Sequence, residues 1–349
     1  MDCLYADLKK RGKRSRYTWN MGETHMRKIK LFAFLLVISF LSFLENVPFT
    51  YAAYPERPIT LICPWAAGGG TDRIARMVAI LLEKELGQPV TVVNRTGGGG
   101  AVGHTAGATA RPDGYTLTIV TSELAMMHWM GLAQVTYKDF KPVALLNIDP
   151  AGINVRADAP WKNVQELQEY IKNNPGKLKA SGTGKGGIWD LARAGWQKAV
   201  GLPVETIQWV PSTGAATGLQ ELVAGGVDIV PCSLPEAASL IDAGKVKALA
   251  VMAETRNPAF PDVPTLKELG IDWAIGAWRG MTVPKNTPDD IVAVLEKALE
   301  KIVQNPEFVD FMNKNGFGIL YKPTSEFGPF LAEQDESMGQ LMKDVGIVK

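Results

Sequence analysis

The chain has 349 residues, length for about two domains, and its 46% hydrophobic and 21% charged residues are the balance of an ordinary globular protein. The formal net charge is +1, but residues 1–52 hold nine Lys/Arg against four Asp/Glu, which leaves 28 basic and 32 acidic residues, near −4, for the remainder. A body of that charge has no electrostatic footprint for nucleic acid, and that class of partner is excluded.

The first element is a targeting segment. Arg27, Lys28 and Lys30 form a basic stretch, residues 31–44 are an apolar run of 14, and Thr50-Tyr51-Ala52 ends in small residues. This three-part pattern predicts a leader over 1–52 that is cleaved during export, and hence a periplasmic or otherwise extracytoplasmic protein. The run is shorter than the ~20 residues of a spanning helix; an uncleaved anchor is the alternative. The pattern is complete from Met26 onward, so Met1 and Met26 both stay open as the start. No cysteine follows the leader at a lipid-attachment position, which predicts a soluble protein. Export permits a disulfide between Cys63 and Cys232; both sit at strand ends and read as small packed thiols, with pairing left open.

From there strands and helices alternate. A strand is predicted over 59–63. A helix follows over 71–86, with Ile74, Val78, Leu81, Leu82 and Leu86 on one stripe. Strands follow at 90–93 and, after the turn Pro112-Asp113-Gly114, at 115–121. Residues 143–155 read as two short strands broken at Asp149-Pro150. Then come helix 164–172, strand 178–181, helix 188–200, strand 204–210, helix 215–224, strand 227–230, helix 235–243, and strands 246–253 and 278–283. Helices 289–303, 306–314 and 325–342 complete the chain. The alternation predicts an α/β fold whose sheets are mostly parallel and covered on both faces. With no linker in the sequence, two lobes must be joined by continuous strands. The candidate crossings, 147–155 and 248–254, divide the chain into lobe 1 (53–150 plus 254–349) and lobe 2 (151–253).

Glycine clusters mark the candidate site. They are Ala67-Gly68-Gly69-Gly70 before the first long helix, Gly97 to Gly100, Ser181-Gly182-Thr183-Gly184 before helix 188–200, and Ser212-Thr213-Gly214 before helix 215–224. In open α/β sheets ligands bind beyond the carboxyl ends of strands. A glycine-rich turn exposes backbone N–H groups, and a helix N-terminus adds partial positive charge, so the pair forms an anion site with no cationic side chain. Taken singly, each cluster is also explained as a tight turn. Two clusters fit G-x-G-x-x-G, at Gly98/Gly100/Gly103 and Gly182/Gly184/Gly187. A dinucleotide enzyme is disfavoured, because residues 103–111 are too short for a full crossover helix. A phosphate loop is excluded because Gly186, not Ser or Thr, follows Lys185.

Catalytic sets are weak. His104 and His128 lie near no nucleophile motif and at no metal spacing, and each reads as structural or solvent-facing. No zinc cluster, other metal site or organic cofactor is implied. Glu123, following Thr121-Ser122 at a strand end, is either a helix-start acid or a ligand contact suited to an amine or hydroxyl. Trp65, Trp189, Trp209 and Trp278 lie at strand ends or beside glycine turns, as core residues or as an aromatic wall around a ligand. Asp72 is either a capping acid or a ligand contact.

These motifs resemble the solute receptors of tripartite tricarboxylate transporters, the Bordetella uptake receptor type. The resemblance covers nearly all of the chain after the leader. It rests on residues 54–59, on residues 64–72 with Ala75-Arg76, on Val93-Asn94-Arg95 with Gly97 to Gly100 and Gly103, on residues 112–117, and on Asp262-Val263-Pro264-Thr265 with Glu268 and Gly270. It implies a type II periplasmic-binding-protein fold, with two lobes closing on a small organic acid in the cleft between them. It also implies a non-enzymatic, monomeric receptor that serves the permease subunits of a tripartite transporter. A receptor for a membrane sensor kinase and an exported α/β enzyme are the alternatives. Carried over by position, the resemblance implicates Trp65, Ala66, Ala67, Gly68, Gly69 and Asp72 from one lobe, and Ser181, Gly182, Thr183, Gly184 and Thr213 from the other. Ser122, Glu123, Trp189 and Ser233 complete the expected set from the same strand ends and turns. Trp65, Asp190, Cys232 and Glu123 depart from common family residues, and point toward a larger, more aromatic or partly cationic ligand.

Overall fold

The computed structural model describes residues 22, 25–34 and 54–348. Residues 25–34 are helical and exposed. Most of the apolar run and the expected cleavage site at Ala52 lie outside the described residues. Among the described residues no helix is long and apolar enough to cross a membrane. Tyr54–Lys349 form one compact unit.

Strand β1 (Ile59–Cys63) pairs in parallel with β2 (Val90–Asn94) and β3 (Thr116–Thr121), placing Leu61 between Val92 and Leu117. Both of its faces are covered, which is why its sequence is almost continuously apolar rather than alternating. Strand β10 (Gly276–Pro284) lies antiparallel between β3 and β4 (Phe140–Pro150), and β11 (Ile319–Pro323) forms the far edge. The order is β11-β4-β10-β3-β1-β2. A second sheet holds β5 (Gly152–Arg156), β6 (Leu178–Ala180), β7 (Ile207–Trp209), β8 (Ile229–Val230) and β9 (Val246–Val251), ordered β7-β6-β8-β5-β9.

The fold class expected from sequence is present, but the sheets are mixed rather than mostly parallel: five of the nine strand pairings are antiparallel. The reason lies in the crossings. A strand ahead of a helix in a βα unit points its carboxyl end toward the space between the sheets. A strand that has just crossed over points away from it, as β5 and β10 do. The crossing segments are bonded side by side: Ala151 N donates to Ile275 O, Ile275 N to Met252 O and Met252 N to Ala151 O.

Helix α1 (Gly70–Leu86) buries Ile74, Val78, Leu81 and Leu82 on the stripe read from sequence, carries Asp72 in its first turn and Lys84 in its last, and ends at Gly87. The other helices are α2 (Ala101–Ala108), α3 (Val164–Asn173), α4 (Ile188–Ala199), α5 (Ala215–Ala224), α6 (Leu234–Asp242), α7 (Asp289–Gln304), α8 (Pro306–Asn315) and α9 (Thr324–Asp344). One core surrounds the first sheet through Ile59, Ile74, Leu117, Met281 and Leu295. The other runs from Leu145, Trp278 and Phe327 to Leu191 and Ile229, joining α9 and β4 to the second sheet. Cys63 and Cys232 are buried and unpaired.

Gly103 sets how closely α2 packs under the first loop. A Cβ there would lie 2.6 Å from Pro64 Cα and 2.7 Å from Arg95 O, backbone atoms that no rotamer change can move. Gly103→Ala gains up to about 1 kcal/mol of helix propensity but costs about 1–3 kcal/mol in overpacking. The expected net outcome is a lower Tm by differential scanning calorimetry; an unchanged or raised Tm contradicts the packing account.

Candidate functional site

Two loops define the site, and each is built in the same way. In the first, between β1 and α1, the Asp72 carboxylate turns back to accept the Gly68 amide (2.8 Å), which fixes Gly68 at φ +79°. Arg76 Nε at 2.9 Å and Asn94 Nδ2 at 2.8 Å hold the same carboxylate. Burial opposes its charge, but the bonds from Arg76, Gly68 and Asn94 outweigh burial and keep its pKa below the usual carboxylate value. In the second loop, between β6 and α4, Asp190 accepts the Gly186 amide (2.9 Å), with Gly186 at φ +73°. Arg193 Nη2 holds it at 2.5 Å. A buried aspartate in the first turn of each helix thus shapes the glycine loop ahead of it. The N–H groups of a first helical turn have no intrahelical partner, so both helices direct donors beyond their loops.

The loops face one narrow cavity of about 30 Å³. Trp65, Ala66, Gly69, Gly70 and Thr71 line it from the first loop and α1, and Thr183, Ile188 and Trp189 from the second loop and α4. Gly214, Ala215 and Ala216 bring in a third helix N-terminus, that of α5. Thr121, Glu123, Glu236, Ala277 and Arg279 complete the wall. Thr183 is 3% exposed, and its Oγ1 has no hydrogen-bond partner within the chain. A buried hydroxyl left without a partner costs about 1–3 kcal/mol, which makes Thr183 a candidate ligand contact.

The charged groups cross the cavity. Glu123 lies in the 3-10 turn Ser122–Ala125 just after β3, and its Oε1 accepts the Ile188 amide at the start of α4 (3.1 Å). Thr121 Oγ1 donates to its other oxygen at 2.6 Å. Glu236 on α6 accepts the Gly70 amide at the start of α1 (3.3 Å) and faces Arg279 Nη2 at 3.5 Å. Arg279 also donates to Asp149 (2.5 Å), Asn147 (2.5 Å) and Thr71 (2.9 Å). Burial raises the pKa of Glu123, Asp149 and Glu236, in each case against hydrogen bonds or the nearby Arg279 charge that pull it down.

Thr121 is itself held in place. Its amide donates to His104 Nε2 (3.2 Å), so the His104 proton sits on Nδ1 and is donated to Gly100 O (2.8 Å). Trp65 Nε1 donates to Thr121 Oγ1 (3.1 Å). His104 is wholly buried, and burial lowers its pKa to about 4.

Of the residues expected from sequence, Trp65, Ala66, Gly69, Glu123, Thr183 and Trp189 line the cavity. Ala67 and Gly68 are exposed on the outer side of the first loop. Asp72 is the loop-shaping acid rather than a wall residue. The Ser122 hydroxyl accepts the Trp278 amide (2.9 Å). Ser181 is buried, and Gly182 packs against Trp189 and Gly218. Gly184 meets Gly99 across the cleft, where a Cβ on Gly184 would come within 2.9 Å of Gly99 Cα. Thr213 is exposed and bonds Thr217, leaving the wall to Gly214. Ser233 holds Glu236 through its amide and hydroxyl. Trp278 is a core residue against Phe327 and Phe330, and Trp209 packs with Arg193.

Sequence reasoning missed Arg279 and Glu236. Arg279 is the single charge in the strand Trp278–Val283, and Ser233-Leu234-Pro235-Glu236 is a capping-box sequence; both signals were readable.

Comparison with known proteins places this geometry. Residues 74–347 match the family described as the tripartite tricarboxylate transporter family receptor. A UPF0065 protein of Bordetella pertussis is 33% identical, over 91% of this chain and 99% of its own length. The structure of MatC from Rhodopseudomonas palustris with bound malate is 30% identical with a TM-score of 0.76, over 82% of this chain and 99% of that one. A second R. palustris protein, with adipate, is 25% identical with a TM-score of 0.80, over 84% and 98%.

The buried neutral His104 makes a pH prediction. Its folded pKa of about 4 lies below the unfolded value of 6.5, so between those values the unfolded chain binds more protons. The His104 contribution is complete above pH ~6.5 and is lost as pH falls toward ~4, about 3 kcal/mol in all. In His104→Gln that loss is absent. The stability difference between wild type and variant, from urea melts, should narrow as pH falls; a constant difference contradicts the assignment.

Proposed function

The chain belongs to the tripartite tricarboxylate transporter receptor family, and from that premise we propose that it captures a small organic acid outside the cytoplasm and hands it to the permease subunits of a tripartite transporter. A solute-binding receptor needs a site that holds its ligand without reacting with it, and the wall of this cavity is made for holding. The observation that carries the reading is the convergence of three helix N-termini, those of α1, α4 and α5, with the unpartnered Thr183 hydroxyl on one cavity. Backbone N–H groups and aligned peptide dipoles stabilise an anion there without a cationic side chain. Each bond to a charged group contributes about 1.5–3 kcal/mol, so four or five of them exceed the entropic cost of holding a small acid and give micromolar affinity. Malate and adipate in the two R. palustris relatives support a carboxylate as the bound group.

In this reading 53–150 plus 254–349 and 151–253 act as two lobes, hinged where Ala151, Met252 and Ile275 are bonded together. The ligand is bound by loops from both lobes, so it favours the closed form over the open one and shifts the population toward it. Trp65 and Trp189 supply flat apolar walls on opposite sides of the cavity. The closed form is the signal the permease recognises.

A thermal-shift panel of carboxylates, amines and neutral sugars tests the class. A bound ligand at 100 times its Kd adds about 2.7 kcal/mol of stability, so acids should raise Tm and sugars should leave it unchanged. A shift with sugars alone contradicts the proposal. Thr183→Val removes a hydroxyl that no protein group uses. It should leave unliganded stability equal or higher and weaken acid binding about tenfold or more by calorimetric titration. Unaltered affinity would remove Thr183 from the site.

A further inference from the structure

The three helix N-termini that face the cavity are not equivalent. The first amide of α4, Ile188 N, already donates to Glu123, and the first amide of α1, Gly70 N, already donates to Glu236. In each case the carboxylate comes from the opposite side of the cleft: Glu123 from the turn after β3 of the first sheet, Glu236 from α6 beside the second. The protein's own acids therefore occupy two of the positions at which a ligand carboxylate would bind. The N-terminus of α5, at Gly214, Ala215 and Ala216, is lined by none of the cavity's acids and lies beside Thr183.

The charge balance points the same way. Among the lining residues the acids are Glu123 and Glu236 and the one cation is Arg279. Arg279 is also matched from behind by Asp149 at 2.5 Å. Arg73, which donates to Pro235 O and interacts with the Glu236 charge, is a second cation beside the wall. Three carboxylates thus stand against two guanidinium groups, and Glu123 and Glu236 already take up the positive ends of α4 and α1. A second ligand carboxylate entering this wall meets Glu123 or Glu236 with little water to screen it, whereas a cationic or N–H-donating group can bond them. The Glu123 carboxylate accepts from Thr121 Oγ1, from Ile188 N and from its own backbone amide, and its two oxygens together have room for a further donor. Burial also raises the pKa of Glu123, the condition in which a neighbouring cation stabilises the ionised form most.

We infer that the ligand carries one carboxylate and, at its other end, a cationic or N–H-donating group, with Glu123 as the residue that selects that group. The carboxylate binds at the N-terminus of α5 beside Thr183, and the donor end faces Glu123 and Glu236. This rests on the acid-capture reading, and it narrows the substrate class from organic acids to acids with a basic end, disfavouring di- and tricarboxylates.

The test is calorimetric titration of the purified protein with length-matched pairs: succinate and 3-aminopropionate, glutarate and 4-aminobutyrate, adipate and 5-aminopentanoate, terephthalate and 4-(aminomethyl)benzoate. In the best-binding pair the amino acid should bind at least tenfold tighter than the dicarboxylate. Glu123→Gln should cut that preference at least tenfold while the α5 carboxylate site remains. Glu236→Gln should cut it as well, and the wild-type preference stands as a readout if either variant fails to fold. Dicarboxylates binding tighter than their amino partners, with a ratio that Glu123→Gln leaves unchanged, overturns the inference and leaves acid capture intact. A protein that takes amines or sugars and no acid of any kind overturns the acid-capture reading, and the inference with it.

Discussion

An aspartate in the first turn of a helix that accepts the amide of the glycine four residues earlier is the contact on which the site depends. Asp72 does this for Gly68, and Asp190 does it for Gly186. The bond bends the loop into a left-handed turn that glycine adopts at no steric cost, and so keeps the start of the helix facing the cleft. Arg76 and Arg193, farther along the same helices, hold each aspartate from behind. The same device after both sheets brings two positive helix ends to a single cavity, where Gly70 N and Ile188 N meet Glu236 and Glu123.

The second layer is electrostatic. Glu123 and Glu236 reach across the cleft to the opposite helix ends, so the two sides are joined by charge-assisted bonds as well as by chain crossings. These bonds form in a buried wall where screening is weak. They join the two sides and set two carboxylates in the cavity wall. His104 contributes at one remove, because its neutral ring orients Thr121, and Thr121 in turn orients Glu123 and Trp65.

Much of this was legible in the sequence because it is local. The apolar stripe of α1 and the glycine clusters at strand-to-helix turns depend on neighbours within a few residues. The mixed sheet pairing was not legible, since the direction of β5 and β10 follows from where the chain crosses, not from their composition. Asp72 stood between capping acid and ligand contact; Arg76, one helical turn on, and Asn94 settle it as the loop-shaping acid. Arg279 and Glu236 were missed because their partners lie far off in sequence: Asp149, Asn147 and Thr71 for Arg279, and Gly70 for Glu236. A lone arginine in an apolar strand and a capping-box glutamate each have an ordinary structural explanation until the fold brings them together.

The central claim is that a carboxylate is held in this cavity by backbone amides at helix N-termini. The crystal structure of the protein with the acid that raises its Tm most tests this directly. The account predicts carboxylate oxygens about 2.7–3.2 Å from amides at the start of α5 and from Thr183 Oγ1, with Trp65 and Trp189 against the ligand body. A ligand carboxylate paired with a surface lysine or arginine, or bound outside the wall formed by α1, α4 and α5, would contradict it.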